Sequence, residues 1–443
     1  MKKKAYSCVG VNRVNIVALC GQRAGQGVVV GLDVSKGDVR VMPRWSDGTL
    51  GQGWKVKQPE ELAQLVQQLQ ELGQGRSLVV AMEPTGTYGE PLRQALTDGA
   101  LAVQRISPKA SHDYAEIMDG VPSQHDGKDA AIVAELAALG KGRAWPFAQP
   151  TAWEEEMAYR VDRLELEQRQ LQRWSSRLEG LLAKHWPEAT RRLGLTSGTL
   201  LRALVYYGEP RRLGADKEAS LRLGRWSYGR LAGDRLARVV EEARGSVGVR
   251  MGAWSRRQLR QYARRALGAK RRAARAKREL RRLAKAQPVL ERQGAVVGVP
   301  TACVLWVCLG DPRRYDSAAS YRKAMGLNLA ERSSGKYQGQ LRISKRGQPL
   351  VRQWLYFAAL RLSQKEPVLS WFRDKKTRLD RGGRSAAVAV MRKLALGLYQ
   401  LGVHGGTFDA RRLFTGPPGG PRVPTTGVKP PDAKAAMASS RAT

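Results

Sequence analysis

Four acidic residues in the first third of the chain have the types and positions of a metal-binding site. Asp33 and Glu83 each end or directly follow an apolar stretch that is typical of a buried strand. Asp126 and Asp129 are three residues apart, so both would lie on one face of a helix. Carboxylates at the carboxyl ends of buried strands point toward the rim of a sheet, where ligands bind. Acids from two strands and one helix could therefore meet.

Such a set of acids could hold a pair of Mg²⁺ ions. Mg²⁺ binds carboxylate oxygens and keeps coordination positions open for phosphate. Two ions about 3.5–4 Å apart stabilise the attacking and leaving oxygens in phosphoryl transfer. Each acid also has a structural interpretation, with Asp126 as a helix N-cap, Asp129 as a favourable charge in the first turn, and Asp33 as a turn cap. Spacing alone leaves both interpretations open.

The stretches around these acids predict an α/β domain over residues 28–150. Antiparallel strands come first, and strands alternating with helices follow. The predicted elements are strands at Val28–Asp33, Asp38–Arg44, Gly51–Lys57, Leu78–Met82 and Leu101–Ile106, and helices at Pro59–Leu72, Pro91–Thr97 and Asp126–Leu139. Residues 1–27 show no clear period and are expected to form an irregular arm.

The composition indicates nucleic acid as the partner. The 443 residues include 77 Lys and Arg against 39 Asp and Glu, a formal charge of +38. Such an excess repels itself unless a polyanion neutralises it. An anionic membrane is the rival partner, but we find no amphipathic helix with bulky apolar anchors and no apolar run near the roughly 20 residues of a membrane span. We expect a cytoplasmic, nucleoid-associated protein of a prokaryotic cell, with no membrane partner.

The cysteines and histidines predict neither disulfides nor structural zinc. Four cysteines in so long a chain are not a disulfide framework. Cys303 and Cys308 lie in an apolar run, where a buried thiol is an ordinary core residue. The four histidines are scattered, so no four ligands have the spacing of a zinc site.

The middle of the chain, residues 151–290, predicts a helical arm. Trp153–His185 and Leu259–Leu283 carry apolar or small residues at heptad spacing. We expect them to form an antiparallel coiled coil, interrupted by an insert over residues 187–250 whose fold the sequence does not indicate. Coiled-coil arms commonly pair protomers, so we expect a homodimer or tetramer on nucleic acid.

The second heptad stretch has an unusually one-signed charge. Between Arg256 and Lys285 there are 14 Lys or Arg residues and one acid, Glu279. Most charge runs are solvated helix faces. This run needs a counter-anion, so we favour contact with nucleic acid. The candidate contacts are Arg271, Arg272 and Arg275.

Residues 291–414 predict a third, mostly α-helical domain with basic, glycine-bearing loops. Its predicted helices are Thr301–Leu309, Ala318–Met325, Leu350–Leu362 and Ala386–Val403. Residues 415–443 are rich in Pro, Gly and Ser and are expected to form a disordered tail.

Three motifs of the first domain resemble the RuvC-like domain of the DEDD insertion-sequence transposases. They are Val30-Gly31-Leu32-Asp33-Val34-Ser35-Lys36, Met82-Glu83-Pro84-Thr85-Gly86-Thr87-Tyr88 and Asp126-Gly127-Lys128-Asp129-Ala130. That family includes the Piv-type DNA invertases and the bridge-RNA-guided recombinases. The resemblance covers about Val28–Trp145. It implies an α/β RNase-H-like fold, with Asp33, Glu83, Asp126 and Asp129 as the catalytic, metal-binding acids.

A second resemblance lies in the third domain, over Met325–Gly335 and Arg342–Gly347. It is similar to the C-terminal transposase domain of the same family, and it implies that the serine of Ser-Gly, Ser334, attacks the DNA phosphodiester and forms a phosphoserine link. The family usually has proline where Leu329 stands, so Ser333 stays an alternative.

The residues themselves support the serine assignment less strongly. Ser-Ser-Gly is common turn chemistry, and a serine hydroxyl needs activation before it attacks phosphate. The nearby cations Arg342, Lys345 and Arg346 could bind phosphate oxygens.

We therefore expect a transposase or site-specific recombinase that cuts and rejoins DNA. The resemblance implies guidance by a structured noncoding RNA. One alternative is a RuvC-type metal-dependent endonuclease, similar to a Holliday-junction resolvase, in which water attacks. A second alternative is a non-catalytic, basic nucleic-acid-binding protein.

Overall fold

The computed structural model describes residues 6–120, 126–330, 342–379 and 382–414. The chain divides into two units, Met1–Pro150 and Thr151–Thr443. Ser333, Ser334 and the predicted tail lie outside the described residues, and those predictions stay untested.

The first unit combines strands and helices. Its strands are β1 (Cys8–Gly10), β2 (Val28–Val34), β3 (Asp38–Trp45), β4 (Gly53–Lys57), β5 (Leu78–Met82), β6 (Val103–Arg105) and β7 (Arg143–Ala144). Its helices are α1 (Ile16–Gly21), α2 (Leu62–Gly73), α3 (Glu90–Asp98), α4 (Pro108–Asp119) and α5 (Asp126–Ala138), with 3₁₀ turns at Val11–Arg13 and Gly86–Gly89.

The described strands form one mixed sheet in the order β1-β4-β3-β2-β5-β6-β7. β2, β3 and β4 pair antiparallel, whereas β5 lies parallel to both β2 and β6. β2 reads Val-Val-Val-Gly-Leu-Asp-Val because a central strand is covered on both faces. This arrangement confirms the predicted α/β class and fits an RNase-H-like domain.

Gly31 determines how closely α5 packs on the sheet. A Cβ at this position would lie 2.0 Å from the backbone oxygen of Ala130 and 2.5 Å from the backbone nitrogen of Ala134. The α5 backbone therefore rests directly on β2. On the other face, Leu65, Leu69 and other apolar residues of α2 are fully buried.

The prediction of an irregular arm over residues 1–27 is wrong for part of its length. β1 pairs parallel with β4 at the edge of the sheet, and α1 packs against α2. Val11 and Ile16 are buried in the core. The strand has three residues and the helix six, so neither is long enough to show a period in the sequence.

The second unit is helical apart from one small described ribbon, β8 (Leu329–Ala330) and β9 (Arg342–Ile343), which pair antiparallel. Its helices are α6 (Ala152–His185), α7 (Ala189–Arg192), α8 (Gly198–Tyr206), α9 (Pro210–Ala215), α10 (Ala219–Ser227), α11 (Gly233–Arg244), α12 (Ala253–Ala284), α13 (Pro288–Val297), α14 (Val299–Leu309), α15 (Ala318–Ala324), α16 (Pro349–Leu362), α17 (Val368–Arg378), α18 (Gly383–Val403) and α19 (Ala410–Phe414). A mostly helical second half agrees with the predicted class.

The two heptad stretches lie in α6 and α12, which pack antiparallel within one chain. Near one end, the indole of Trp153 donates a hydrogen bond to the backbone oxygen of Leu283, 3.1 Å away. Further along, the guanidinium of Arg265 lies 4.6 Å from the ring centroid of Trp174. Supercoiling and projection as an arm stay predictions.

The α6–α12 pair belongs to two hydrophobic cores. Leu178 and Leu182 of α6 pack with the insert helices α7–α11. Met157 and Leu164, nearer the start of α6, pack with α13–α19. The insert is therefore a helical bundle built against the pair. Its helices have four to twelve residues, too few to show a repeated heptad in the sequence.

The helix α18 lies at the centre of the C-terminal helices and packs against α13, α15, α16 and α17. In the part of the chain that the structure describes, it is the one helix long and apolar enough to cross a membrane, and most of it is buried in the protein. The expectation that no apolar run approaches this length is not contradicted, because Arg392 and Lys393 interrupt the apolar residues of the helix. Its apolar residues are those that core packing selects.

Candidate catalytic site

The sheet places Asp33 and Glu83 next to each other at one edge, which is the rim formed by the carboxyl ends of the central strands β2 and β5. β2 and β5 are parallel, and Leu32 pairs with Met82 in their register. The residues that follow these partners are Asp33 and Glu83. Because both strands run in the same direction, both carboxylates lie at the carboxyl end of the sheet.

Helix α5 adds Asp126 and Asp129 to this edge. Both acids lie in its first turn, and the helix packs on β2 and β3 through the close contact at Gly31. Asp126 is exposed, whereas Asp129 is partly buried. The close contact between α5 and β2 brings Asp126 and Asp129 toward Asp33 and Glu83.

The electrostatics of Asp33 show that the acids influence one another. Burial, which is the largest cause, and the negative charges of Asp129, Asp126, Glu83 and Asp38 together raise the pKa of Asp33 to about 7. Burial also raises the pKa of Glu83, with a contribution from Asp129. Burial and the neighbouring acids therefore both disfavour the charged form of Asp33.

Two residues at this edge were not anticipated from the sequence. The hydroxyl of Ser111, on α4, hydrogen-bonds to Glu83 and partly lowers the pKa of that carboxyl. Arg40 on β3 pairs with Asp33 in the antiparallel register. Its guanidinium lies 3.3 Å from Asp126 and 3.6 Å from Asp38. The hairpin register could have revealed Arg40, since a short turn fixes which residues face each other.

The donor set suits a hard divalent cation. The four predicted ligands are all carboxylates, which Mg²⁺ prefers over softer ligands, and such an ion would neutralise the charge that raises the pKa of Asp33. Within the described residues, however, no three His, Cys, Asp or Glu side chains are grouped closely enough to hold a metal ion. Side-chain rotation would have to bring the oxygens to about 2.0–2.1 Å from the ion.

The predicted nucleic-acid contacts on α12 have different surroundings. Arg272 donates to Glu167 at 2.8 Å, and Arg275 donates to Glu279 at 2.9 Å. Arg271 is exposed and has no ion pair or hydrogen bond to a described residue. Arg271 is therefore the member of this set whose charge is left for a partner.

The predicted phosphate-binding cations of the third domain lie at the surface. Arg342 is on β9, and Lys345 and Arg346 follow it; all three are exposed. Lys345 adopts a left-handed backbone, with φ of 56°. The structure does not place these cations relative to Ser334, which lies outside the described residues.

Two family models match the chain in the order that the motifs predict. A DEDD transposase model of the IS110 type, described as Transposase, matches residues 30–187. A model described as Transposase IS116/IS110/IS902 family matches residues 294–374. The chain belongs to the DEDD insertion-sequence transposases. A search of curated proteins finds no match.

The two matches cover the two regions that contain the predicted catalytic residues. The first contains all four acids at the edge of the sheet, and the second contains Ser334. The insert helices and the whole of α12 lie between them. As a member of this family, the transposase is an enzyme that cuts and rejoins DNA.

Proposed function

We propose that this transposase cuts DNA with a carboxylate-bound metal site and a serine nucleophile. The observation that carries the first part is the raised pKa of Asp33 at a sheet edge that it shares with Glu83, Asp126 and Asp129. So much negative charge favours a cation, and a metal-bound carboxylate site favours phosphoryl transfer.

The proposed reaction exchanges one phosphodiester for another. Asp33, Glu83, Asp126 and Asp129 would hold one or two Mg²⁺ ions, which stabilise charge on the phosphate. Ser334 passes its proton to water as its oxygen bonds to phosphorus, and the bond from phosphorus to the leaving sugar oxygen breaks. That sugar oxygen takes up a proton. The phosphoserine keeps the bond energy, so attack by another DNA hydroxyl restores the serine and joins the strands.

The cations close to Ser334 in sequence have a supporting role in this proposal. Arg342, Lys345 and Arg346 neutralise the scissile phosphate, arginine as a planar fork and lysine as a point charge.

The family resemblance adds a structured guide RNA to the proposal. We also propose that the transposase acts in the prokaryotic cytoplasm.

A homodimer or tetramer on nucleic acid stays part of the proposal. The small seam residues of α12, among them Ala266, Ala269 and Ala273, are buried against α6 of the same chain. The heptad seam therefore no longer argues for pairing between protomers. Light scattering with and without nucleic acid tests this part, and monomers under both conditions would reject it.

A covalent adduct assay tests the chemistry. Cells carrying the source element would be lysed in denaturant, and protein-linked DNA would be collected and digested with protease. Ser334→Ala should abolish the adduct and retain DNA binding, whereas the matched variant Ser333→Ala should retain both. Loss of the adduct in Ser333→Ala alone would identify the other hydroxyl.

Two further outcomes of that assay would select the alternatives. Metal-dependent nicking that persists without either serine would mean that water attacks, as in a RuvC-type endonuclease. DNA binding without nicking or adduct, in the unmodified transposase, would indicate a non-catalytic nucleic-acid-binding protein.

A further inference from the structure

The insert helices and α12 enclose a cleft of about 780 Å³ that is lined by arginines and aromatic rings. Ligand pockets commonly have volumes of roughly 300–1,000 Å³, so the cleft is large enough for a nucleotide. Four arginines and two aromatic residues are part of its lining: Arg202, Arg260, Arg264, Arg271, Tyr206 and Trp226. None of the described residues that line it is acidic.

Two aromatic rings form one wall of the cleft. The rings of Tyr206 and Trp226 are 5.6 Å apart between centroids and inclined at 63°. Tyr206 is 52% exposed, and its hydroxyl accepts a hydrogen bond of 3.2 Å from Arg222. The tyrosine ring is thus held in place and still presents a surface to the solvent.

Two of the arginines brace this wall. Arg260 donates hydrogen bonds to the backbone oxygens of Tyr206 and Tyr207, at 3.1 and 3.0 Å. Arg202 donates to the backbone oxygen of Trp226 at 2.9 Å. These guanidinium groups fix the helix ends from which the aromatic rings project.

The other two arginines are left for a ligand. Arg264 and Arg271 are exposed on α12, and neither has a hydrogen bond or an ion pair with a described residue. They differ in this respect from Arg272 and Arg275, which pair with glutamates. Two free guanidinium groups beside an exposed ring favour a ligand that has both phosphate and a flat base.

A second, smaller cleft continues the basic surface along α12. It has a volume of about 340 Å³ and shares Arg260 and Arg264 with the first. Arg257 adds a further exposed cation to its lining. A ligand that leaves the aromatic wall would therefore meet more positive charge, as a nucleic-acid backbone requires.

We propose that this cleft binds a single-stranded segment of nucleic acid. One unpaired base stacks on the exposed ring of Tyr206 and contacts Trp226 beside it, and the neighbouring phosphates bind Arg264 and Arg271. Aromatic platforms in basic grooves bind unpaired bases in this way, whereas a paired base has both faces covered by its neighbours in the stack. The inference deepens the proposed function, because it names the form of nucleic acid that this region recognises.

Photocross-linking of the full chain tests the position of the base. The probes are oligonucleotides about 12 nucleotides long, a length within the range bound by single-strand-binding folds, each with one 5-iodouracil, prepared as DNA and as RNA. Irradiation should attach the probe to Tyr206 or Trp226. Attachment in either the DNA or the RNA arm supports the cleft and identifies the source of the strand. Cross-links that map only outside the cleft in both arms would overturn it.

Fluorescence anisotropy with the same oligonucleotides tests the energetics. Tyr206→Ala should weaken binding by about tenfold, since stacking on one aromatic ring contributes on the order of 1–3 kcal/mol. Tyr206→Phe keeps the ring and should bind like the unmodified chain. The matched control Tyr159→Ala removes an exposed tyrosine of α6 and should change little. Thermal unfolding of each variant checks that it folds.

The arginines are tested with the same assay. Arg264→Ala combined with Arg271→Ala should weaken binding and reduce its salt dependence, more than the control Arg278→Ala on the same helix. Unchanged affinity in Tyr206→Ala, or tighter binding of a blunt duplex than of single strands, would contradict the inference. Ser334→Ala should still bind the oligonucleotides, so failure of the serine chemistry and failure of this cleft are distinguishable.

Discussion

At the scale of single residues, the charge state of Asp33 links the stability of the transposase to pH. The pKa of this carboxyl is about 7 in the folded chain, against an ordinary value of 3.8. The folded state therefore binds the proton more tightly than the unfolded state. The free energy of unfolding should fall as the pH rises from about 4 to about 7 and change no further above that range.

Asp33→Asn should remove this pH-dependent penalty. Without metal, we expect the variant to unfold at a higher temperature than the unmodified chain at pH 8, and the difference should shrink toward pH 4. Thermal unfolding in metal-free buffer measures both. The control Asp98→Asn changes an exposed acid of α3 and should leave the profile unaltered. A constant difference at all pH values would mean that the carboxyl of Asp33 does not titrate in this range.

Magnesium should stabilise the unmodified chain and have little effect on Asp33→Asn. A ligand that binds only the folded state stabilises it by RT ln(1 + [L]/Kd), so Mg²⁺ should raise the unfolding temperature of the unmodified chain at pH 8. The gain should be smaller at pH 6, where protons compete for Asp33, and nearly absent in Asp33→Asn. Equal gains in both chains would place the metal elsewhere.

At the scale of elements, the packing of α5 on β2 decides whether the acids meet. Gly31→Ala would place a Cβ 2.0 Å from the backbone oxygen of Ala130, so the helix must move. We expect a loss of stability of about 1–3 kcal/mol or more and weaker Mg²⁺ binding, because Asp126 and Asp129 move with the helix. Denaturant unfolding and metal titration measure these effects. Gly37→Ala, where nothing lies within 4 Å of the added atom, should be nearly neutral.

The packing of α6 against α12 predicts that Arg272 contributes more to stability than Arg275 does. Glu167 is almost fully buried and accepts from Arg272 and Arg163, at 2.8 and 3.0 Å. Arg272→Ala should destabilise the second unit by about 1–3 kcal/mol, the cost of an undersatisfied buried charge. Arg275→Ala, which removes an exposed pair with Glu279, should cost at most about 1 kcal/mol. Similar unfolding curves for both variants would contradict this difference.

This difference affects how nucleic-acid binding is tested. A charge reversal at Arg272 would disturb the helix pair as well as any contact with a partner. Arg271 has no such structural pairing among the described residues. Arg271→Glu is therefore the cleaner test of the predicted contact on α12.

At the scale of the whole molecule, the formal charge of +38 should make binding strongly salt-dependent. A contact with six to ten phosphates loses about 10³–10⁵ in affinity between 50 and 200 mM salt, because binding releases counterions. Arg271→Glu should lower both the affinity and the slope of its dependence on salt. Anisotropy at several salt concentrations measures the slope. A flat response would mean that the excess charge does not contact phosphate.

The sequence by itself was sufficient to determine the α/β class of the first unit and the family. The periods of strands and helices are local properties of the sequence. The sequence therefore predicted the strands that lead to Asp33 and Glu83 and the helix that begins at Asp126. Short elements were not visible: β1 and the insert helices are held by burial against neighbours, and their few residues show no period.

Tertiary structure alone decided which charges are neutralised and which remain available. The heptad spacing of α12 predicted a seam, but only its packing against α6 shows that Glu167 neutralises Arg272, whereas Arg271 has no ion pair or hydrogen bond with a described residue. Likewise, only the sheet register brings Arg40 opposite Asp33. Charge is a property of single residues, whereas the balance of charge at a site depends on residues that are distant in sequence and adjacent in space.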